Sequence, residues 1–395
     1  MSVADDLKTL PPEALAANKE RLKNRERQRR EVRRELDAEE YRQLGEPEIL
    51  TLRERLARPR PAVRYRIAQL QAVGHRVLLA AQFKAGKTTL AANVARSVLD
   101  GDAFLDMYDV AAIDGVLVLL DFEMSPTQLD DWYEAQHIVN DDRLLVIPLR
   151  GLASAFNIID RAACSRWAQL LKSRNVQYLI LDCLRPVFDA LGLNEHTEAG
   201  LFLTALDALL READIPEALV IQHMGHTKER ARGDSRLLDW PDVGWTLVRE
   251  SDDDPASPRF FKAYGRDVDV PETQLTYNES TRRLAVVDAD AGGGSRADTK
   301  VAAALADICA FVASTDTPQS SRNIEDAAKV HGHTRAAIRK ALHKAVDSGA
   351  LLEVPGGKGG GFRYRSSMAD RPAWIPGLGA NSASPPTSAV TPPAE

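Results

Sequence analysis

Cysteine is scarce in this 395-residue chain: Cys164, Cys183 and Cys309 are few, odd in number and far apart. That offers neither a disulfide framework nor, by spacing, a metal cluster, and it fits a reducing compartment. The histidines add no metal-ligand spacing beyond the pairs His223/His226 and His331/His333. Long hydrophobic runs are missing as well. No stretch approaches the roughly 18 apolar residues of a membrane span, and the N-terminal stretch has no apolar signal segment, so a cytoplasmic protein with no membrane partner is expected. Nor is there an excess of charge of one sign. With 51 Lys and Arg against 57 Asp and Glu the net charge is -6, so composition as a whole does not point to nucleic acid, and any basic surface must be local. No internal repeat occurs.

What the chain does contain is the run RVLLAAQFKAGKTTL at 76–90. Val77, Leu78, Leu79, Ala80 and Ala81 form the continuous apolar run of a strand buried on both faces, and Leu90, Val94, Val98 and Leu99 recur at helical spacing beyond it. Between them lies the layout of a P-loop, in which backbone N–H groups and a helix N-terminus converge on a triphosphate. Gly86 lets the backbone approach closely, Lys87 would bind the β- and γ-phosphates, and the Thr88 hydroxyl would bind Mg2+. ATP and Mg2+ are therefore the expected cofactors, with Ala81, Gln82, Phe83, Lys84, Ala85, Gly86, Lys87, Thr88 and Thr89 as the phosphate-binding segment. The motif's first glycine is replaced by Ala81, so the turn into the loop must use a conformation that tolerates a Cβ.

Around this loop, strands and helices alternate. Buried strands are expected near 116–120, 144–148, 178–182 and 219–222, with helices near 126–137, 160–173 and 199–212. Such alternation predicts an α/β domain at 61–288 with a largely parallel sheet covered on both faces. Beyond Leu238, short strands near 243–249, 259–264 and 284–287 predict an antiparallel extension. Residues 1–60 are a charged helical arm with a thin apolar set of Leu22, Val32, Leu36, Tyr41 and Leu44, either a solvated helix or an arm that packs on a neighbouring subunit. A Gly-rich flexible linker is expected at 289–298. A small domain follows at 299–367, with helices at 299–314, 322–330 and 334–348 and a hairpin of 351–354 with 362–365; the Pro- and Ser-rich tail at 368–395 is expected to be disordered.

Two carboxylates extend the nucleotide reading. The strand 176–182 ends in Asp182, placed to hold a water of the Mg2+ shell beside Thr88. A second buried strand, 116–120, leads to Glu123, which could polarise an attacking water; Asp121, two residues earlier on the same face, is the rival base.

Taken together, the loop at 81–88, the Asp121-Phe-Glu123-Met-Ser125 segment, the Asp182-Cys-Leu-Arg185-Pro segment and the strand ending in Val220-Ile-Gln222-His223 resemble RecA-like hexameric ATPases, in particular the RepA-type and DnaB-type replicative helicases. The resemblance spans about 63–287. It implies a RecA-like P-loop NTPase fold, Glu123 as catalytic glutamate, Asp182 on the Walker B strand, and Gln222 and His223 as sensors of the γ-phosphate. The segment Phe261 to Arg266 resembles the place from which these ATPases supply an arginine finger to a neighbour, which would require a ring, expected to be a homohexamer; the plainer reading is a turn residue paired with Asp267 or Asp269. The stretch 224–240, with His226, Lys228, Arg230, Arg232 and Arg236, is either a mobile loop for single-stranded DNA or an ordinary charged surface loop. The small domain looks like a winged helix. Arg335, Arg339 and Lys340 on its third helix and Lys358, Arg363 and Arg365 around the hairpin would face duplex DNA, or the module serves protein contacts. The expected function is an ATP-driven helicase or translocase in plasmid, phage or mobile-element replication. The alternatives are an ATP-switched DNA-binding regulator or loader, and a recombination or repair ATPase of the same fold.

Overall fold

The computed structural model describes residues 20–21, 23–32, 35, 48–59, 62–224, 236–251, 254, 257–288, 293–356 and 361–367. Most of the N-terminal arm, the basic stretch at 225–235, residues 289–292 of the expected linker, Lys358 and the tail from 368 lie outside these. The chain divides into two units, 1–62 and 63–395. In the first, residues 23–32 are helical and exposed, and Leu52–Ala57 forms a short helix started by a capping box between Thr51 and Glu54, with no buried residue.

The second unit is built on a nine-stranded sheet. A small hairpin, β1 (Tyr65–Ile67) with β2 (Gln71–Ala72), precedes β3 (Arg76–Ala81), β4 (Val116–Asp121), β5 (Leu144–Pro148), β6 (Val176–Asp182), β7 (Glu217–His223), β8 (Val243–Arg249), β9 (Arg259–Gly265), β10 (Asp269–Asn278) and β11 (Arg283–Val286). The spatial order is β11-β10-β9-β8-β3-β7-β6-β4-β5. All pairings from β8 to β5 are parallel, and β8-β9, β9-β10 and β10-β11 are antiparallel. The fold class is thus the expected one, an α/β domain with a mostly parallel sheet and an antiparallel extension. The extension starts one strand later than expected, because β8 pairs parallel with β3.

The two faces follow from the strand period of two. Val77 and Leu79 of β3 and Leu117 and Leu119 of β4 point into one core with Leu90, Val94 and Val98 of the helix Lys87–Asp100 and the rings of Phe104, Trp245 and Phe261. Leu78, Val118 and Leu120 point into the other, with Leu171, Phe188, Phe202 and Leu206 from the helices Arg161–Ser173, Leu184–Leu191 and Ala199–Glu212. Burial on both faces explains why these strands read as unbroken apolar runs.

Several sequence expectations need correction. The helix near 126–137 ends at Glu134. The Asp182-Cys-Leu-Arg185-Pro segment leads from the strand directly into the helix Leu184–Leu191, whose first turn accommodates Pro186. The ten-residue β10 was not expected at all: Pro271 and its polar neighbours argue against a strand, and the chain meets the difficulty with a register shift between Val270 and Thr273.

After the sheet comes a module of three helices, Arg296–Ala313, Ser321–Val330 and Arg335–Asp347, and three short strands, β12 (Gln319–Ser320), β13 (Leu351–Val354) and β14 (Arg363–Ser366), in the order β12-β14-β13. Ile308, Val312, Ile324, Ile338, Ala341, Leu351 and Tyr364 form its core. The linker expected to run to 298 stops at Gly294. Ser295 caps the first helix in a capping box with Asp298, and Arg296 reaches back to Glu272 of β10 at 2.6 Å.

Candidate functional site

Parallel pairing brings the C-terminal ends of β3, β7, β6 and β4 to one edge, where ligands of open α/β sheets bind. The register sets the details. Ala81 lies beside His223, and Asp121 beside Asp182. After β3 the chain turns through 82–86 into the helix that begins at Lys87. Gly86, at φ +104, caps that helix in the left-handed region, and Lys84 is left-handed too, at φ 58. Ala81 is the fully buried last residue of the strand, in extended backbone, so a Cβ costs nothing there. The loop is held from outside. The Gln82 N–H donates to Leu247 O at 3.0 Å, the Arg249 N–H to Gln82 Oε1 at 2.8 Å, and Arg249 Nη1 to Lys84 O at 3.1 Å.

At the helix N-terminus Lys87 and Thr88 meet both predicted carboxylates. Lys87 Nζ donates to Glu123 Oε2 and, at 3.0 Å, to Asp182 Oδ1; the Thr88 hydroxyl donates to Asp182 Oδ2 at 2.7 Å. His223 Nε2 lies 3.1 Å from Glu123 Oε1, and the Cys183 thiol donates to the same oxygen at 3.3 Å. Burial alone would push Lys87 down, but Asp182 and Glu123 hold its ammonium well above its ordinary value. Burial would likewise raise Glu123, yet His223 and Lys87 hold it near 2, so it stands as a carboxylate ready to accept a proton only when Lys87 has other partners. The hydroxyl of Thr88 and the buried carboxylate of Asp182 are hard oxygen donors side by side, a pair that fits Mg2+.

Asp121 has a different task. It is fully buried, and its Oδ1 accepts from the Glu123 and Met124 N–H groups at 3.0 and 2.7 Å, which fixes the turn that presents Glu123. Burial pushes its carboxyl up to about 6.

Lys87, Thr88, Glu123 and His223 border a cavity of about 750 Å3, within the range of roughly 300–1,000 Å3 usual for small-molecule sites. Phe83, Lys84, Gly86, Lys87, Thr88, Thr89, Glu123 and His223 line it. Among the expected residues, Ala81 and Ala85 are buried behind the loop, and Gln222 is buried and donates to Glu195, which itself lines the cavity. Arg266 is remote from it. β9 runs antiparallel to β8, which puts Arg266, just past its end, at the opposite edge of the sheet, exposed and, among the described residues, without an ion pair to Asp267 or Asp269.

The sequence reading did not assign six of the lining residues to the nucleotide site: Trp132, Arg185, Glu195, Met224, Arg259 and Tyr277. Arg259, at the other end of β9, donates from Nε to Ala85 O at 3.1 Å and places its guanidinium 5.0 Å from the Tyr277 ring. Arg259 and Tyr277 carry no local signal, since they meet the loop only through the antiparallel extension; Trp132 comes from the helix Pro126–Glu134, and Arg185 and Glu195 come from the helix Leu184–Leu191 and the turn after it.

A family comparison is consistent with this geometry. Residues 42–229 match a family model described as an AAA domain. No curated protein matches the chain. Among matching solved structures is a KaiC-like protein from the hyperthermophilic archaeon Pyrococcus horikoshii OT3, 14% identical, covering 55% of this chain and 91% of that one with a TM-score of 0.41. Among the described residues no helix is long and apolar enough to cross a membrane. The matched stretch holds the phosphate loop, Glu123, Asp182 and His223, and with them the chain carries a P-loop ATPase core.

Proposed function

We propose that this chain is an ATP-hydrolysing DNA motor of the RecA-like, RepA-type helicase kind, working as a ring on single-stranded DNA. The observation that carries the reading is the convergence of Lys87, Glu123, Asp182 and His223 at one sheet edge, while Arg266 stands exposed at the other. One edge has what is needed to bind and hydrolyse ATP, and the far edge offers a guanidinium to a neighbour's site.

In this mechanism the N–H groups after Gly86 and the Lys87 ammonium cradle the phosphates, and the base lies toward Arg259 and Tyr277. Mg2+, held by Thr88 and through Asp182, would neutralise charge on the β- and γ-phosphates. Entering phosphates draw Lys87 away from Glu123, which frees that carboxylate to take a proton from the attacking water. His223, on the other oxygen of Glu123, registers the change and adjoins the stretch from 225, a segment suited to DNA contact.

The C-terminal module supports a role on duplex DNA. Its helix–strand–helix–helix–strand–strand order supports the winged-helix reading, as do the exposed Arg335, Arg339, Lys340 and Lys344 on the third helix and the exposed Arg363 on the hairpin. The same module also supports a second reading, an ATP-switched regulator or loader bound to a duplex site. The deciding experiment measures ATP hydrolysis with and without single-stranded DNA, together with unwinding of a forked duplex. Stimulation with unwinding is expected. Hydrolysis indifferent to single strands, with no unwinding, refutes the motor and leaves the switch.

A further inference from the structure

We propose that Glu123, Cys183 and His223 form a binding site for one thiophilic divalent cation of the Zn2+ type, which arrests the ATPase by occupying the carboxylate that activates water. The spacing of cysteines and histidines along the chain gives no hint of it, because the three ligands come from separate strands. β7, β6 and β4 are consecutive in the sheet, and His223 ends the first, Cys183 follows the second and Glu123 follows the third.

Their donor atoms converge. The Cys183 sulfur and His223 Nε2 both approach Glu123 Oε1, at 3.3 and 3.1 Å, and all three donor atoms lie within 4.8 Å of one another. Zinc bonds of about 2.0–2.3 Å in a tetrahedron give ligand-to-ligand edges of roughly 3.3–3.7 Å. The two edges at Glu123 Oε1 need to open by only a few tenths of an ångström, and the third, between the Cys183 sulfur and His223 Nε2, is under 4.8 Å. Glu123 and His223 also face the nucleotide cavity, so the fourth position is open to water, as in zinc sites with three protein ligands.

The donor set selects the metal. One sulfur, one imidazole nitrogen and one carboxylate oxygen suit Zn2+, whereas Mg2+ takes hard oxygen donors such as Thr88 and Asp182. The two sites are therefore adjacent but chemically separate. Lys87 keeps its place on the other oxygen of Glu123 and on Asp182, so the metal does not displace it. On binding, the Cys183 thiol gives its proton to solvent and the thiolate takes the metal. The arrest of hydrolysis rests on the reading of Glu123 as the base; the binding of the metal does not.

The test uses the full chain without nucleotide, titrated with Zn2+ against a chromophoric chelator and with Co2+ as a spectroscopic substitute. One metal per chain is expected, with the sulfur-to-cobalt charge-transfer absorption of a bound thiolate. Cys183→Ser should abolish that absorption and weaken Zn2+ binding more than about tenfold, and His223→Asn should weaken it comparably, whereas Cys309→Ser should keep both. Absence of the absorption in the native protein, or its persistence in Cys183→Ser, overturns the site. Zn2+ is then added to the ATPase assay, where loss of turnover restored by a chelator is expected. Tight, Cys183-dependent binding with undiminished turnover upholds the site and refutes Glu123 as the base.

Discussion

Asp121 makes the stability of this protein depend on pH in an unusual direction. Most buried acids are held by charges that favour the carboxylate, but Asp121 has burial against it, and its carboxyl sits at about 6 where an exposed one sits at 3.8. Two N–H groups and Lys87 pull it back only part of the way, and Asp182 pushes the other way. Its Oδ2 is buried without a hydrogen-bond partner, which is where the proton goes. A raised folded-state value means that the folded form binds the proton more tightly than the unfolded form. The associated stability, about 3 kcal/mol at 1.36 kcal/mol per pH unit, is fully present below pH 3.8 and lost as pH rises through 6. Between pH 5 and pH 7 the linkage relation gives a loss of about 1.3 kcal/mol. Asp121→Asn keeps the oxygen that receives the Glu123 and Met124 N–H groups but cannot titrate. Urea unfolding of both proteins at pH 5 and pH 7 should therefore show the native chain losing about 1.3 kcal/mol relative to the variant. A difference that stays constant across that range would mean that Asp121 is charged in the folded protein throughout, and that burial does not dominate its environment.

Three other perturbations probe the site and its support. Glu123→Gln should retain nucleotide binding while turnover falls by about 10^2 to 10^4, and Asp121→Asn should keep measurable turnover; the opposite result would make Asp121 the base. Arg259→Ala should weaken nucleotide binding by about tenfold or more, the worth of one hydrogen bond to a charged group, and calorimetry with a non-hydrolysable analogue measures it. Asn93 is buried and ties the helix after the phosphate loop to Gln136 Oε1, Arg282 O and the Leu284 N–H at 2.9, 3.1 and 2.8 Å. Asn93→Ala leaves the Leu284 N–H unpaired and should cost about 2–4 kcal/mol in denaturant unfolding.

The sequence made some parts of this molecule legible and left others hidden, for physical reasons. The parallel strands were readable because burial on both faces leaves an unbroken apolar run, and the phosphate loop because its chemistry is local. Glu123 and Asp182, which the structure brings to Lys87, could be singled out because each comes at the end of such a run. β10 was hidden by Pro271, which sits at a register shift where the ladder is interrupted. The start of the helix at Arg296 was obscured by the glycines before it, although Ser295 and Asp298 carry a capping-box spacing. Arg259 and Tyr277 gave no signal, since their role depends on which strand borders which, and Trp132 and Glu195 gave none because a helix or turn residue does not show which cavity it faces. The buried tasks of Asp121 and Gln222 were also unreadable, because a sequence shows that a carboxylate or amide is present but not which N–H or oxygen it faces.

β9 has a mechanical consequence. One end of this strand grips the carbonyl of Ala85 through Arg259, and the other delivers Arg266 to the far side of the domain, about 20 Å away at roughly 3.3 Å per residue. A pleated strand flanked on both sides by hydrogen-bonded neighbours is stiff along its length, so it works as a pushrod. Any shift of the phosphate loop that carries Ala85 with it is passed to the opposite rim within a single rigid element, with no hinge between.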